Sequence, residues 1–462
     1  MKRIVPIVLA VALFMENMDS TVIATSLPVI AAEIGTSPIA LKLALTSYYV
    51  ALAIFIPISG RMADRFGAKF VFRIAIAVFV AGSLACAAAD SLGGFVAARF
   101  LQGMGGAMMT PVGRLLLVRA VPKSELVAAM AWFTIPALVG PLIGPPVGGA
   151  IATYADWRWI FLINLPIGIA GILLATRYLP VVEKVPDVRF DIPGFLLSGM
   201  ACAGIVFGFS IVSLPALPPE LGIAMALTGF VTAGFFIRHA RRADHPVLRL
   251  SLLRVPTLRA AIWGGSLFRI GSGAVPFLLP LMLQLGFGYT PLESGLLTCV
   301  SIGGAMLMKF LAKPILWRLG FRTTLVATAV VGGSLTGLIG VFRPETAIPL
   351  VLALLLIGGF FRSLFFTSLN ALAFADLANR DAGDATAMMG AIQQVSIATG
   401  VALAGAILEL GVVASGSDTA SLADFSLAFF VVGGVTISAA IAFMPLSPDA
   451  GDEVAGRRVP AE

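Results

Sequence analysis

Charge is what this chain is short of. Only 12% of its 462 residues are Asp, Glu, Lys or Arg, against 59% hydrophobic residues and a mean hydropathy of +1.00. A soluble globular chain carries roughly 25% charged residues, so no water-soluble fold could hide this much apolar surface. Cysteine is nearly absent too. Cys86, Cys202 and Cys299 stand apart in apolar stretches without CxxC or histidine spacing, which argues against a disulfide framework and a zinc site, and no metal is expected. The two histidines, His239 and His245, fall in a basic stretch from Arg238 to Arg254 that is expected to lie along a membrane surface, with no chemical role. No GxxxxGK[ST] phosphate loop occurs and no nucleophile stands beside a base. ATP is thus not the expected energy source, and no catalytic residue, enzyme activity or cofactor is expected.

What the chain has in abundance is long apolar runs. They can be laid out at about 4–31, 39–59, 70–89, 93–113, 126–150, 158–179, 192–213, 220–237, 259–284, 292–312, 323–342, 347–371, 385–409 and 424–445. A bilayer is crossed by about 20 apolar residues in helical form, which predicts an all-α polytopic membrane protein of about fourteen spanners. The start, Lys2 and Arg3 before an apolar run, superficially resembles a signal peptide, but Glu16 and Asp19 interrupt it and no AxA-like site follows, so a retained first spanner is expected. The net charge of +7 resides in short loops. Of the 31 Lys and Arg, only Lys42, Arg158 and Arg343 fall in one set of loops and Arg99, Arg269 and Arg362 inside apolar runs; all the others share the opposite loops and the termini. That asymmetry places both termini in the cytoplasm by the positive-inside rule and explains the charge without nucleic acid. A multi-pass protein of a bacterial-type inner membrane, in contact with lipid and monomeric, is expected.

The chain also repeats itself. Gly60-Arg-Met-Ala-Asp64-Arg65-Phe-Gly67-Ala-Lys69 is echoed by Lys313-Pro-Ile-Leu-Trp-Arg318-Leu-Gly320-Phe-Arg322, with Arg, Gly and a basic residue in register. Upstream, Pro28 and Pro280 precede the two glycines by nearly equal distances. Two six-helix halves are indicated, 1–180 and 256–446, with a two-helix insert at 190–240 and a cytoplasmic tail at 447–462. Such halves around a midplane site are a common plan for secondary transporters.

Four motifs in the first half carry a resemblance: Leu13 to Pro28 with its acids, Gly60 to Lys69, Arg99-Phe-Leu-Gln102-Gly103-Met-Gly105-Gly106, and Gly140-Pro141-Leu-Ile-Gly144-Pro145-Pro146-Val-Gly148-Gly149. In this combination the chain resembles the major facilitator superfamily, and within it the fourteen-spanner drug:proton antiporters. The resemblance implies the major facilitator fold and alternating-access export of a small amphiphilic or toxic substrate in exchange for protons, powered by the proton gradient. It also implies that Arg99 takes part in proton coupling and that the fifth-helix motif is of the antiporter type.

The residues themselves allow a physical reading beside it. Glu16, Asp19, Arg99, Arg269, Arg362 and Glu409 are ionisable side chains inside apolar segments. Each costs at least about 2.5–3.5 kcal/mol near the bilayer centre and so needs a partner or a wet cavity. Glu16 and Asp19, three residues apart, share a helix face; like charges at low dielectric repel, and one is expected to carry an exchangeable proton. Arg269 and Arg362 are expected at similar depth in the other half, either balancing the acids across a cavity or holding the halves together as structural ion pairs. Gln102 lies one turn from Arg99, for which snorkelling to the outer interface is the alternative, and Glu409 is expected at the interface. Asp64 among Arg65, Lys69, Arg114 and Arg119 is expected to latch an inner gate, with Gly60 and Gly67 permitting a tight reversal. Prolines and the Gly140, Gly144, Gly148 spacing predict a bent, close-packed helix. Met15, Met18, Met104, Met108 and Met109 suit varied ligands but also plain packing. Against the exporter stand an importer of a polar or anionic metabolite, which the paired arginines would suit, and a sensor, which would need a soluble signalling domain.

Overall fold

The computed structural model describes residues 4–122, 125–181, 184–185, 189–214, 217–417 and 419–456. Lys2, Arg3, Lys123, Arg457 and Arg458, which figure in the charge asymmetry, lie outside the described residues. Among the described residues there are helices and turns and no strand. In chain order the helices are α1 (Ile4–Val22), α2 (Leu27–Glu33), α3 (Lys42–Phe66), α4 (Ala68–Ala87), α5 (Leu92–Ala120), α6 (Leu126–Tyr154), α7 (Trp159–Leu162), α8 (Asn164–Tyr178), α9 (Ile192–Val212), α10 (Pro219–Ala240), α11 (Pro256–Leu281), α12 (Pro291–Ile339), α13 (Ile348–Ala373), α14 (Ala382–Ser415), α15 (Leu422–Ser438) and α16 (Asp452–Ala455).

Among the described residues, twelve helical stretches are long and apolar enough to cross a bilayer. One is the 49-residue α12, whose backbone leaves helical geometry at Gly320 (φ +73°). The 29-residue α5 is not among the twelve, because Arg99, Gln102 and a series of glycines dilute its apolar content. The expected first spanner is two pieces: α1 ends in a 3-10 turn, Ile23–Thr25, and Pro28 sits in the first turn of α2, where a missing N–H costs nothing. The 60–67 motif is also less of a loop than expected. Gly60 through Phe66 continue α3, and the reversal rests on Gly67 alone, at φ +96°. Its counterpart Gly320 likewise takes a positive φ that a side chain would disfavour.

The described chain forms two compact units. The first comprises Met1–Gly208, Glu220–Val247 and Tyr289–Leu296, the second Phe209–Pro219, Leu248–Gly288 and Leu297–Glu462. In the first, Leu9, Met15, Tyr48, Phe72, Phe79, Leu116 and Phe133 are buried together. Lipid is as apolar as leucine, so close backbone approach rather than water exclusion drives such packing. On α5, a Cβ at Gly103 would stand 2.7 Å from the Tyr48 carbonyl oxygen of α3 and one at Gly105 2.6 Å from the Ala75 carbonyl oxygen of α4. The absence of side chains there lets α3 and α4 close on α5 and brings Arg99 and Gln102 against them. In the second unit Phe268 of α11 stacks on Phe365 of α13 at 3.6 Å between centroids, with Phe443 edge-on to Phe365.

Candidate functional site: a buried charge cluster in the first unit

Helices α1, α4, α5 and α8 each send one or two polar side chains to a single point inside the first unit. Asp19, 1% exposed, accepts from Arg99 Nη1 on Oδ2 at 2.7 Å. Its Oδ1 accepts from Gln102 Nε2 at 2.8 Å and from Asn164 Nδ2 at 2.7 Å. Ser83 Oγ accepts second bonds from the same two amides, at 2.8 and 3.2 Å. Arg99 also donates to Gln102 Oε1 at 2.5 Å, and its guanidinium carbon lies 4.4 Å from the Tyr48 ring centroid. Asp19 is therefore a charge-paired, triply bonded carboxylate, which is what offsets the cost of burying it. Three polar atoms at the cluster's rim have no hydrogen-bond partner among the described residues: Tyr48 Oη, Arg99 Nε and Asn164 Oδ1. Such atoms carry a desolvation penalty that a second arrangement of the cluster could relieve.

Glu16, one turn earlier on α1, is not part of this network. It is partly exposed, and its Oε2 accepts from Thr110 Oγ1 at 2.7 Å. The two acids expected to act on one another are thus differentiated: one sealed and paired with a guanidinium, the other on the same helix with a hydroxyl. Arg99 is 1% exposed and bound inward, so it does not snorkel.

Around this cluster α6 lies directly on α1. A Cβ at Gly140 would stand 2.9 Å from the Phe14 carbonyl oxygen. Gly144 and Gly148 meet Met18, Thr21 and Val22 as closely, and Thr25 Oγ1 and Ser26 Oγ donate to the carbonyls of Pro145 and Gly148, both at 3.3 Å. Gly149 faces Pro291 at the start of α12. Pro136, Pro141, Pro145 and Pro146 all fall within α6. Met15, Met18 and Met109 are buried packing residues, whereas Met104 and Met108 are partly exposed.

At the α3–α4 corner, Arg119 Nη2 donates to Asp64 Oδ1 at 2.8 Å. Of the expected partners of Asp64 it is Arg119 that pairs; Arg114 is exposed. The corner is also strapped by the segments flanking α9 and α10. The Val185 N–H donates to the Asp64 carbonyl at 3.0 Å, Lys69 Nζ to the Leu179 carbonyl at 2.6 Å, and Arg61 Nη2 to the Pro246 carbonyl at 2.7 Å. Arg65 lies 5.2 Å from the Phe190 ring centroid. An ion pair about one-third exposed contributes about 0.2–1 kcal/mol. Asp64→Asn is therefore expected to leave expression and melting nearly unchanged while slowing transport about three- to tenfold; wild-type transport by that variant would remove the latch.

The straps are pinned by a pair that the sequence reading missed. Asp191 Oδ1 lies 2.6 Å from His239 Nε2, and the carboxylate also accepts from the N–H groups of Gly194 (2.9 Å) and Val247 (3.1 Å). Burial pushes the Asp191 carboxyl up, but the Gly194, His239 and Val247 donors together hold it below its ordinary range. A carboxyl so depressed stabilises the fold above its unfolded value of about 3.9 and loses that contribution as pH falls through the lower folded value. Asp191→Ala is expected to speed amide hydrogen exchange at Gly194 and Val247 about tenfold, about 1.4 kcal/mol; unchanged protection at both would show that the carboxylate holds neither strap. On the other side of the unit, Glu33 accepts from Trp157 Nε1 at 2.7 Å and pairs with Arg158, a hydrogen bond that holds the Arg158 guanidinium further above its usual range.

In the second unit Arg269 is 5% exposed with its guanidinium carbon 5.0 Å from the Phe366 ring centroid, and Arg362 Nη2 donates to Ser301 Oγ at 3.3 Å. Glu409, expected at the interface, is 4% exposed within α14.

Comparison with known proteins bears on the family and the fold. A family model described as "Major Facilitator Superfamily" matches residues 9–236 and 261–460. The chain is 37% identical over 405 residues to the "Putative multidrug resistance protein MdtD" of Salmonella heidelberg, covering 87% of this chain and 85% of that one. It is 37% identical over 404 residues to the protein of the same name from Pectobacterium carotovorum, covering 87% and 86%. Among solved structures, a D-xylose–proton symporter aligns with a TM-score of 0.69 over 97% of this chain and 98% of its own, at 15% identity. The human organic anion transporter MFSD10 aligns at 0.64 over 96% and 99%, at 14% identity. At those identities the structures speak to the fold alone.

Proposed function

The chain belongs to the major facilitator superfamily and is a multi-pass membrane transporter, not an enzyme, and on that premise we propose that it exports small amphiphilic or toxic compounds in exchange for protons. The observation that carries the reading is the sealed Asp19–Arg99–Gln102–Asn164–Ser83 cluster one helical turn from the accessible Glu16. A proton on Asp19 would cancel the charge that pairs with Arg99 and free the guanidinium to re-pair. This is the kind of two-arrangement element through which a ligand biases an alternating-access equilibrium. Glu16, bound by one hydroxyl, is the carboxylate placed to meet a proton or a cationic solute first. Energy comes from the proton gradient, with no bound cofactor, and the protein acts as a monomer.

A second reading, transport of an anionic or polar metabolite, is favoured by Arg269 and Arg362, which in their own unit engage a ring and a hydroxyl. Purified protein in liposomes with an imposed pH gradient separates the two. Uphill movement of cationic amphiphiles supports the exporter, whereas movement confined to anionic solutes would replace it.

We further propose fourteen spans, obtained by dividing α12 at Gly320 and adding α5, with both termini cytoplasmic in an inner membrane. Reporter fusions after Arg242 are expected to read cytoplasm and those near Asp90 and Ser417 the outside. An outside signal after Arg242 would remove the two-helix insert.

A further inference from the structure

Between the sealed Asp19 and the accessible Glu16 stands a hydroxyl that neither acid uses. Tyr48 of α3 is 1% exposed, and its ring centroid lies 4.4 Å from the Arg99 guanidinium carbon. Its Oη is sealed from solvent and has no hydrogen-bond partner among the described residues. A buried hydroxyl in that state costs about 1–3 kcal/mol. The cost brings no structural return, since a phenylalanine ring would lie against Arg99 as well.

Helix α5 shows where this hydroxyl stands. Gln102 Nε2 donates to Asp19 Oδ1, and Thr110 Oγ1 donates to Glu16 Oε2. Gly106 is four residues from each, about 6 Å of helical rise, and residues four apart share a helix face. A Cβ at Gly106 would stand 3.0 Å from Tyr48 Oη, so the phenol oxygen occupies the middle place in a row whose ends hold the two acids. Glu16, Asp19 and Arg99 are the charged side chains in electrostatic reach of it, and Tyr49 is the neighbouring titratable group. Closed off from water, the hydroxyl can exchange a proton only with side chains beside it.

We propose that Tyr48 relays the coupling proton between Glu16 and Asp19, an inference that rests on the export reading above. Glu16, once protonated, turns from Thr110 and donates its O–H to Tyr48 Oη. As that proton forms a new bond to the phenol oxygen, the phenol's own O–H breaks and its proton forms an O–H on the Asp19 carboxylate. Glu16 ends as a carboxylate, Asp19 as a carboxylic acid and Tyr48 unchanged, with nothing oxidised or reduced. The two transfers are concerted, because a free phenol ionises only at about pH 10. The neutral Asp19 then releases Arg99, and the same steps in reverse return the proton to Glu16.

The test compares Tyr48→Phe with Asp19→Asn, each as the full-length protein in liposomes, for export of a cationic amphiphile. Tyr48→Phe keeps the ring on Arg99 and removes only the hydroxyl. Its pH-gradient-driven export is expected to fall about a hundredfold, the low end of what a positioned proton-transfer group contributes. Downhill solute exchange should be unchanged, and the melting temperature should equal or exceed that of wild type, because no partner is left unpaired. The export that remains should slow more in D2O than wild-type export does, since proton transfer has become the limiting step; a merely structural hydroxyl would not change this ratio. Wild-type export by Tyr48→Phe, an equal loss of downhill exchange, a lowered melting temperature or a wild-type response to D2O would each overturn the relay. Loss of uphill export in Asp19→Asn beside wild-type export in Tyr48→Phe removes the relay alone, whereas uphill export retained by Asp19→Asn removes the export reading and the relay with it.

Discussion

Replacing Asp19 by Asn is expected to abolish pH-gradient-driven uphill export while leaving downhill solute exchange within about threefold of wild type. The substitution keeps the volume and one carbonyl acceptor for Gln102 and Asn164, so the four-helix meeting point survives. What disappears is the charge opposite Arg99. A neutral amide at this position mimics a permanently protonated aspartate, and a switch held in one protonation state cannot link proton entry to the access equilibrium. A fall of about a hundredfold in uphill rate, about 2.7 kcal/mol, is the minimum the proposal requires. Glu16→Gln should show a partial defect, because Glu16 stands outside the network and, among the described residues, accepts from Thr110. Uphill transport with an unchanged pH profile in both single variants and in the double variant would make these carboxylates structural.

The second large effect falls on stability. Arg99→Leu leaves Asp19 buried with neutral amide donors only, and an uncompensated buried charge costs about 3–5 kcal/mol. The melting temperature should drop by about 3–5 °C, at about 1 °C per kcal/mol for a chain of 462 residues. The double variant Asp19→Asn/Arg99→Leu removes both charges and should recover most of that loss, yet remain uncoupled. This non-additivity distinguishes the pair from two independent contributors. An Arg99→Leu protein as stable as wild type would mean that the guanidinium does not neutralise Asp19.

Much of this is legible in the residues because membrane burial makes polarity expensive. Asp19, Arg99 and Gln102 stand out as polar groups in apolar runs, and the structure brings them together. Asn164 carries the same signal, an amide inside Phe161-Leu-Ile-Asn-Leu, but a neutral side chain is less conspicuous than a charge. Ser83 and Thr110 give no signal, since hydroxyls in membrane helices commonly satisfy themselves on the preceding turn. Like repulsion between Glu16 and Asp19 is a fair expectation from helix geometry, but spacing along one helix says nothing of the partners other helices supply. Asp191 and His239 escape for a related reason: they are 48 residues apart, and only the pairing of α9 with α10 makes them neighbours. The α3–α4 motif reads as a loop because glycines mark turns, whereas Gly60 is helical and Gly67 alone makes the reversal.

The most direct test of coupling is proton movement driven by solute. Liposomes containing the protein and a pH-sensitive dye are loaded with a cationic amphiphile at equal internal and external pH, then diluted into solute-free buffer. Solute leaving in exchange for protons should acidify the lumen in wild type, and Asp19→Asn should release solute without acidification. Solute efflux at the wild-type rate with no change in luminal pH, or acidification that persists in Asp19→Asn, would contradict the assignment of Asp19 and Arg99 as the coupling pair.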